Sequence, residues 1–138
     1  MAFGLRSVVK QPYPVVVDRL RSALESEGLV VVTTTDLGEA FNREFGMDIP
    51  PQVALGVCTP QLAREALQAD PSVGLLVPCS VVVRAAAADV TVVEAPTLSM
   101  IVAITGDRTL EPVVADATAR LRAAFESLPT DDGRPVSG

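Results

Sequence analysis

The sequence predicts an α+β fold: a mixed or antiparallel sheet of about five strands with helices packed on one face. Three observations predict it. Apolar residues fill 49% of the 138 positions and charged residues 20%, an ordinary globular balance for a chain long enough to bury its own core. Period-two and helical-period segments alternate through the first half of the chain. The later extended segments follow one another as a hairpin, which argues against a doubly wound parallel sheet.

Each element has its own justification. Phe3, Leu5, Ser7 and Val9 alternate with Gly4, Arg6 and Val8, the pattern of a half-buried first strand. Pro12 and Pro14 open a helix, where a missing N–H does no harm. Val16, Leu20, Ala23, Leu24 and Glu27 follow at helical spacing, and Gly28 supplies the left-handed stop. Leu29–Thr35 is rich in Val and Thr and reads as the second strand. Asp36 and Glu39 form a capping box for a short helix carrying Leu37, Phe41 and Phe45, closed by Gly46. The Pro-containing segment Met47–Pro51 reads as a loop, and Val53–Val57 as the third strand.

Thr59 then caps a helix that begins at Pro60, turns Leu62, Ala63, Ala66 and Leu67 inward and ends near Asp70–Pro71. Val73–Arg84 reads as one long extended segment broken at Pro78, which implies a bulge or an edge. Ala85–Asp89 is a weak turn, and Val90–Glu94 returns as the fifth strand. Thr97–Thr105 keeps neither period cleanly and is ambiguous between strand and helix. A stripe of Leu110, Val113, Val114, Ala117, Leu121, Ala124, Phe125 and Leu128 marks a C-terminal helix, started by Thr109 and tolerating Pro112 in its first turn. The expected domain spans residues 1–128, followed by a flexible polar tail over 129–138.

Composition excludes several functions. The net charge is −6, aromatics are 4% and the ten arginines are scattered, so no positive footprint for nucleic acid is expected. No apolar run approaches the roughly 20 residues of a membrane span, and no secretory signal is visible. With two cysteines and no signal, a cytoplasmic protein with free thiols is expected. The absence of His removes His-based triads and metal sites, and Lys10 is the one lysine, in no phosphate-loop context. No G-x-G motif occurs.

Three stretches together carry a family resemblance: LGVCTPQLAREAL (Leu55–Leu67), DPSVGLLVPCSVVVR (Asp70–Arg84) and VEAP (Val93–Pro96). From about Phe3 to Leu128 the chain resembles the bacterial and archaeal domain-of-unknown-function family numbered three hundred and two. The resemblance implies a TATA-box-binding-protein-like α+β sandwich of order β-α-β4-α, a dimer, and no determined function. Thr59 and Ser80 stand where that family usually has Asn, and Ala95 where it usually has Asp.

The residues with most chemical potential are Cys58 and Cys79. Cys58 sits at the start of a helix, where the macrodipole and free N–H groups lower a thiol pKa. Cys79 follows Pro78 at a strand irregularity. Strand order and the resemblance put the two on neighbouring strands, close but unbridged. The plainer reading makes both small buried hydrophobes. Against it stand a redox dithiol, a soft-metal site in which Met47 or Met100 adds a thioether, and, least supported, a nucleophile without a His base.

Thr59, Pro60, Pro78 and Ser80 would complete a ligand-binding region around the two cysteines, and Glu94 could line a cleft at the end of the sheet. Arg84 is placed to meet an anion, or more simply a nearby carboxylate. No carboxylate pair demands acid–base work, and no cofactor is indicated. The first functional reading is a dimeric cytoplasmic binding module for a small apolar ligand or cofactor, with a sizeable pocket whose mouth includes Cys58 or Cys79. A ligand-free dimeric scaffold comes second and thiol chemistry third. A homodimer is expected from the resemblance, and because Val73–Arg84 is too apolar to stand as an uncovered edge.

Overall fold

A computed structural model describes residues 4–129 of the chain. Strand β1 (Gly4–Val9) turns Leu5, Ser7 and Val9 inward on alternate residues. Helix α1 (Tyr13–Ser26) carries Pro14 in its first turn and buries Val16, Leu20 and Leu24, whose spacing of four keeps them on one face. It closes at Gly28, where φ is +78° and the Leu29 N–H donates to the Leu24 carbonyl at 2.9 Å. Gly28 serves a second purpose. A Cβ there would lie 2.9 Å from Nη1 of Arg120, the group that donates to the Glu27 carbonyl at 2.8 Å and ties the C-terminal helix to α1.

Strand β2 (Val30–Asp36) runs into helix α2 (Leu37–Phe45), capped by Asp36, whose Oδ1 accepts from the Glu39 N–H at 2.9 Å. Strand β3 (Gln52–Cys58) leads to helix α3 (Pro60–Ala69), capped by Thr59 as its sequence indicates. After α3 the structure departs from the expected extended segment. Oδ1 of Asp70 accepts from the Ser72 N–H at 2.9 Å, Pro71 opens a 3-10 turn over Pro71–Leu75, and the Val77–Pro78 peptide is cis. Val73 and Val77 look like strand residues because they are buried, yet they enter the core from a turn. Strand β4 therefore begins only at Cys79 and ends at Ala87.

Strand β5 (Val90–Pro96) follows β4 across a tight turn. The ambiguous segment after it becomes helix α4 (Met100–Thr105), stopped by Gly106 at φ +68°. Thr109 does not start the last helix. It lies in a 3-10 turn over Arg108–Leu110 and donates its N–H to Oδ1 of Asp107 at 2.9 Å, while helix α5 runs over Glu111–Glu126. Of the tail expected over 129–138, residues 130–138 lie outside the described residues.

The sheet has five strands in the order β1-β5-β4-β3-β2, antiparallel at every pairing. The β-α-β4-α order implied by the family resemblance is present, with α2 and α3 inserted between its strands. Leu55, Val57, Val81, Val83 and Val93 project from one face into a single core, against Leu20 and Leu24 of α1 and Leu121, Ala124 and Phe125 of α5. Each large side chain so buried contributes about 1.5–3 kcal/mol of transfer free energy.

β4 is the central strand, flanked by β3 and β5 of the same chain. Its apolar character reflects this intramolecular cover, so the segment gives no reason for pairing with a second chain. The edges are β1 and β2.

Candidate functional site

The residues with chemical potential fall in four places, and a groove lies apart from them. Cys58 ends β3, and Cys79 opens β4 opposite Val57. Both are buried and unbridged, at 8% and 9% exposure. Together with Thr59, Val77, Leu62 and Ile101 they line a cavity of about 10 Å³. A space that size holds at most one water. It is too small for an organic ligand.

The electrostatics of the two thiols follow from burial. Burial raises the Cys58 thiol, and the backbone amides of Thr59 and Ala63 only partly pull it back. The helix-start effect expected to lower this thiol is outweighed because the sulfur has left water. Cys79 is pushed up to about 11 by burial first and by Cys58 second. At neutral pH both are therefore thiols, whereas nucleophilic attack and metal ligation need the thiolate. Among the described residues, no three His, Cys, Asp or Glu side chains are grouped to hold a metal ion.

Thr59 is buried, and its Oγ1 accepts from the Leu62 N–H at 3.1 Å. That cap contributes about 1 kcal/mol and accounts for the residue. Pro60 faces away from the cysteine cavity, into a shallow surface depression shared with Arg64, Glu65 and Arg120. Pro78 packs toward Gly56 on the side of the sheet away from α1 and α5, where a Cβ at Gly56 would lie 3.0 Å from Cγ of Pro78 and would clash outright with Oγ1 of Thr33. Gly56 is thus the residue that lets the cis proline close onto β3. Ser80, paired with Gly56, is exposed on that same side.

Glu94 is apart from the cysteines. It stands opposite Arg6 in the β1–β5 register, with Arg6 Nε 3.8 Å from Oε2, and it accepts a close hydrogen bond from Nη1 of Arg84. The carboxylate that Arg84 meets is therefore in its own sheet. The structure brings Cys58, Thr59 and Cys79 together and leaves Pro60, Pro78, Ser80 and Glu94 in other surroundings.

A much larger space than the cysteine cavity lies apart from these residues. A groove of about 870 Å³ opens between α4 and α5 at the end of β1 and β5. Its floor is Leu5, Leu98, Val102, Val114 and Leu121, and its upper wall is the face of α5 that carries Ala115, Thr118, Ala119 and Ala123. Those alanines recur every four residues beside the buried stripe of α5, the one sequence signal that pointed here. Neither cysteine lines the groove. α4 is a short helix ended by Gly106, and its residues Val102 and Ala103 line the groove opposite α5.

Comparison with known proteins agrees with this fold. The family described as "Domain of unknown function DUF302" matches residues 6–128. No curated protein matches the chain. A solved structure, described as the crystal structure of an uncharacterized conserved protein DUF302 from Bacillus stearothermophilus, is similar at a TM-score of 0.75 and 30% sequence identity. That similarity covers 90% of this chain and 96% of the other.

Proposed function

We propose that this chain, which belongs to the DUF302 family of domains of unknown function, is a cytoplasmic binding module for a small apolar ligand. The groove between α4 and α5 carries the reading. Its volume of about 870 Å³ falls within the roughly 300–1,000 Å³ of small-molecule sites. Its floor is aliphatic, and its polar groups stand at the rim. The sequence placed such a site beside the cysteines, but the space there is two orders of magnitude smaller than the groove. Two buried, unbridged thiols support a reducing compartment. No helix among the described residues is long and apolar enough to cross a membrane.

The test uses a neutral, polarity-sensitive dye such as Nile red and a groove-filling variant. Ala119 is exposed and lines the groove, so Ala119→Trp fills it without touching the core. Saturable dye binding by the wild-type protein, lost in Ala119→Trp with unchanged thermal stability, supports the reading. Equal binding by both proteins, or none by either, refutes it.

A second reading, a dimeric interaction domain, is favoured by one observation. The edge strand β2 exposes Val30 and Val32, at 45% and 58%, and Phe45 at the end of α2 and Met47 just after it are exposed at 70% and 48%. The uncharged, β-branched stretch Val30–Thr35 of this edge, in a chain of net charge −6, suits pairing with an equally acidic second copy. The two readings are compatible, because this surface and the groove lie on different elements.

A further inference from the structure

We propose that the groove takes a single-chain amphiphile with a carboxylate head, its hydrocarbon lying along α5 and its head held by Arg122. The proposal rests on the reading of the groove as a ligand site and names the class of ligand.

Shape supports a chain. The groove follows one face of α5 from Glu111 to Glu126, a path of about 22 Å at the rise of an α-helix. Along the middle of that path the wall formed by α5 carries the small side chains of Ala115, Thr118 and Ala119, above the buried Val114 and Leu121, and this leaves a trough. Aliphatic residues of α4 and its approach, Leu98 and Val102, close the opposite side. A slender aliphatic chain buries its length in such a trough, whereas a broad ring system would project into water.

Charge supports the head. Three charged side chains reach the rim: Glu111, Arg122 and Glu126. Glu111 is held by Nε of Arg108 at 3.0 Å. Arg120, two residues before Arg122, is committed to Asp116 at 2.9 Å and to the Glu27 carbonyl. Arg122 is exposed, and among the described residues it makes no ion pair. Among the described residues it is the one cation lining the groove, at the border between the apolar trough and solvent. Its planar fork matches a carboxylate in bidentate geometry. Glu126, one helical turn beyond Arg122, sets the charge of the ligand, because it repels a dianionic head about twice as strongly as a singly charged carboxylate.

The experiment measures displacement of Nile red from the full chain by dodecanoate, dodecan-1-ol and dodecyl phosphate at pH 7.5 and low ionic strength. Dodecanoate should bind about tenfold tighter than dodecan-1-ol, the gain expected of a charge-assisted hydrogen bond. Arg122→Gln should bring the two within about threefold, leaving the alcohol unchanged, and Arg122→Lys should restore part of the preference. Equal affinities in the wild-type protein would overturn the head-group assignment while leaving the groove reading intact. Failure of every probe to displace the dye would overturn both. Tighter binding of dodecyl phosphate than of dodecanoate would assign the head to a phosphoryl group and overturn the carboxylate. Equal loss of acid and alcohol binding in Arg122→Gln would show that the arginine only shapes the groove.

Discussion

Cys79 pairs with Val57, the residue before Cys58, and the two cysteines line one small cavity from adjacent strands. Their nearness resembles a redox pair, but burial is what sets their chemistry. Both thiols are raised, Cys79 to about 11. The arrangement fits two small apolar side chains filling the space where β3 and β4 meet α3 and α4.

Burial of Cys79 makes stability sensitive to alkali. Its pKa is higher in the folded state, so the contribution is fully present below the unfolded value near 9 and is lost as pH rises toward 11. The loss amounts to about 2–3 kcal/mol, at 1.36 kcal/mol per unit. Denaturant midpoints of wild-type protein and Cys79→Ala, compared between pH 8 and 11, should converge as pH rises. A constant gap across that range would show that Cys79 does not titrate as buried.

Thiol reactivity should follow the same logic. At pH 7 the native protein should react slowly with an aromatic disulfide reagent at both cysteines and rapidly once unfolded. Cys58→Ser should cost about 1–3 kcal/mol, the penalty for a hydroxyl buried without a full partner, and should leave dye binding unchanged. A fast-reacting Cys58 in the native state, or a Cys58→Ser variant of full stability with altered ligand retention, would restore a functional role to this site.

Self-association should run through the β2 edge and not through the apolar β4, which is internal. Sedimentation at tens of micromolar should show a dimer, and Val32→Asp should shift it to monomer by placing a charge on the edge while leaving the core intact. A wild-type monomer, or a dimer indifferent to Val32→Asp, would contradict this.

Much of the fold was legible because its signals are local. Pro12, Gly28, Asp36, Gly46 and Thr59 punctuate the chain by backbone chemistry that needs no tertiary context. The segment around Val73 reads as a strand yet forms a turn, because an apolar β-branched residue reports burial, and burial is shared by strands and by turns that plug a core. The capping of that turn by Asp70 was the competing local signal. Thr109 reads as the start of the last helix, but the capped element there is the 3-10 turn that Asp107 opens, and α5 follows it from Glu111 with no side-chain cap.

The site was less legible than the fold. Cys58, Thr59 and Cys79 do converge, because each flanks a β3 or β4 terminus, yet convergence left no room for a ligand. Glu94 and Arg84 found each other across the β4–β5 hairpin, a pairing fixed by strand register. The groove depends on where α4 ends and how α5 crosses the sheet. A sequence with an ambiguous Thr97–Thr105 segment does not state that geometry.

The most direct test of the ligand-groove account is to map a bound apolar probe by amide chemical-shift perturbation in the labelled protein. The account predicts that a saturating aliphatic ligand shifts amides of Leu98, Val102, Val114, Thr118 and Arg122 while those of Cys58, Cys79 and Val32 stay in place. Shifts centred on the cysteines or on β2, with α5 unmoved, would contradict it.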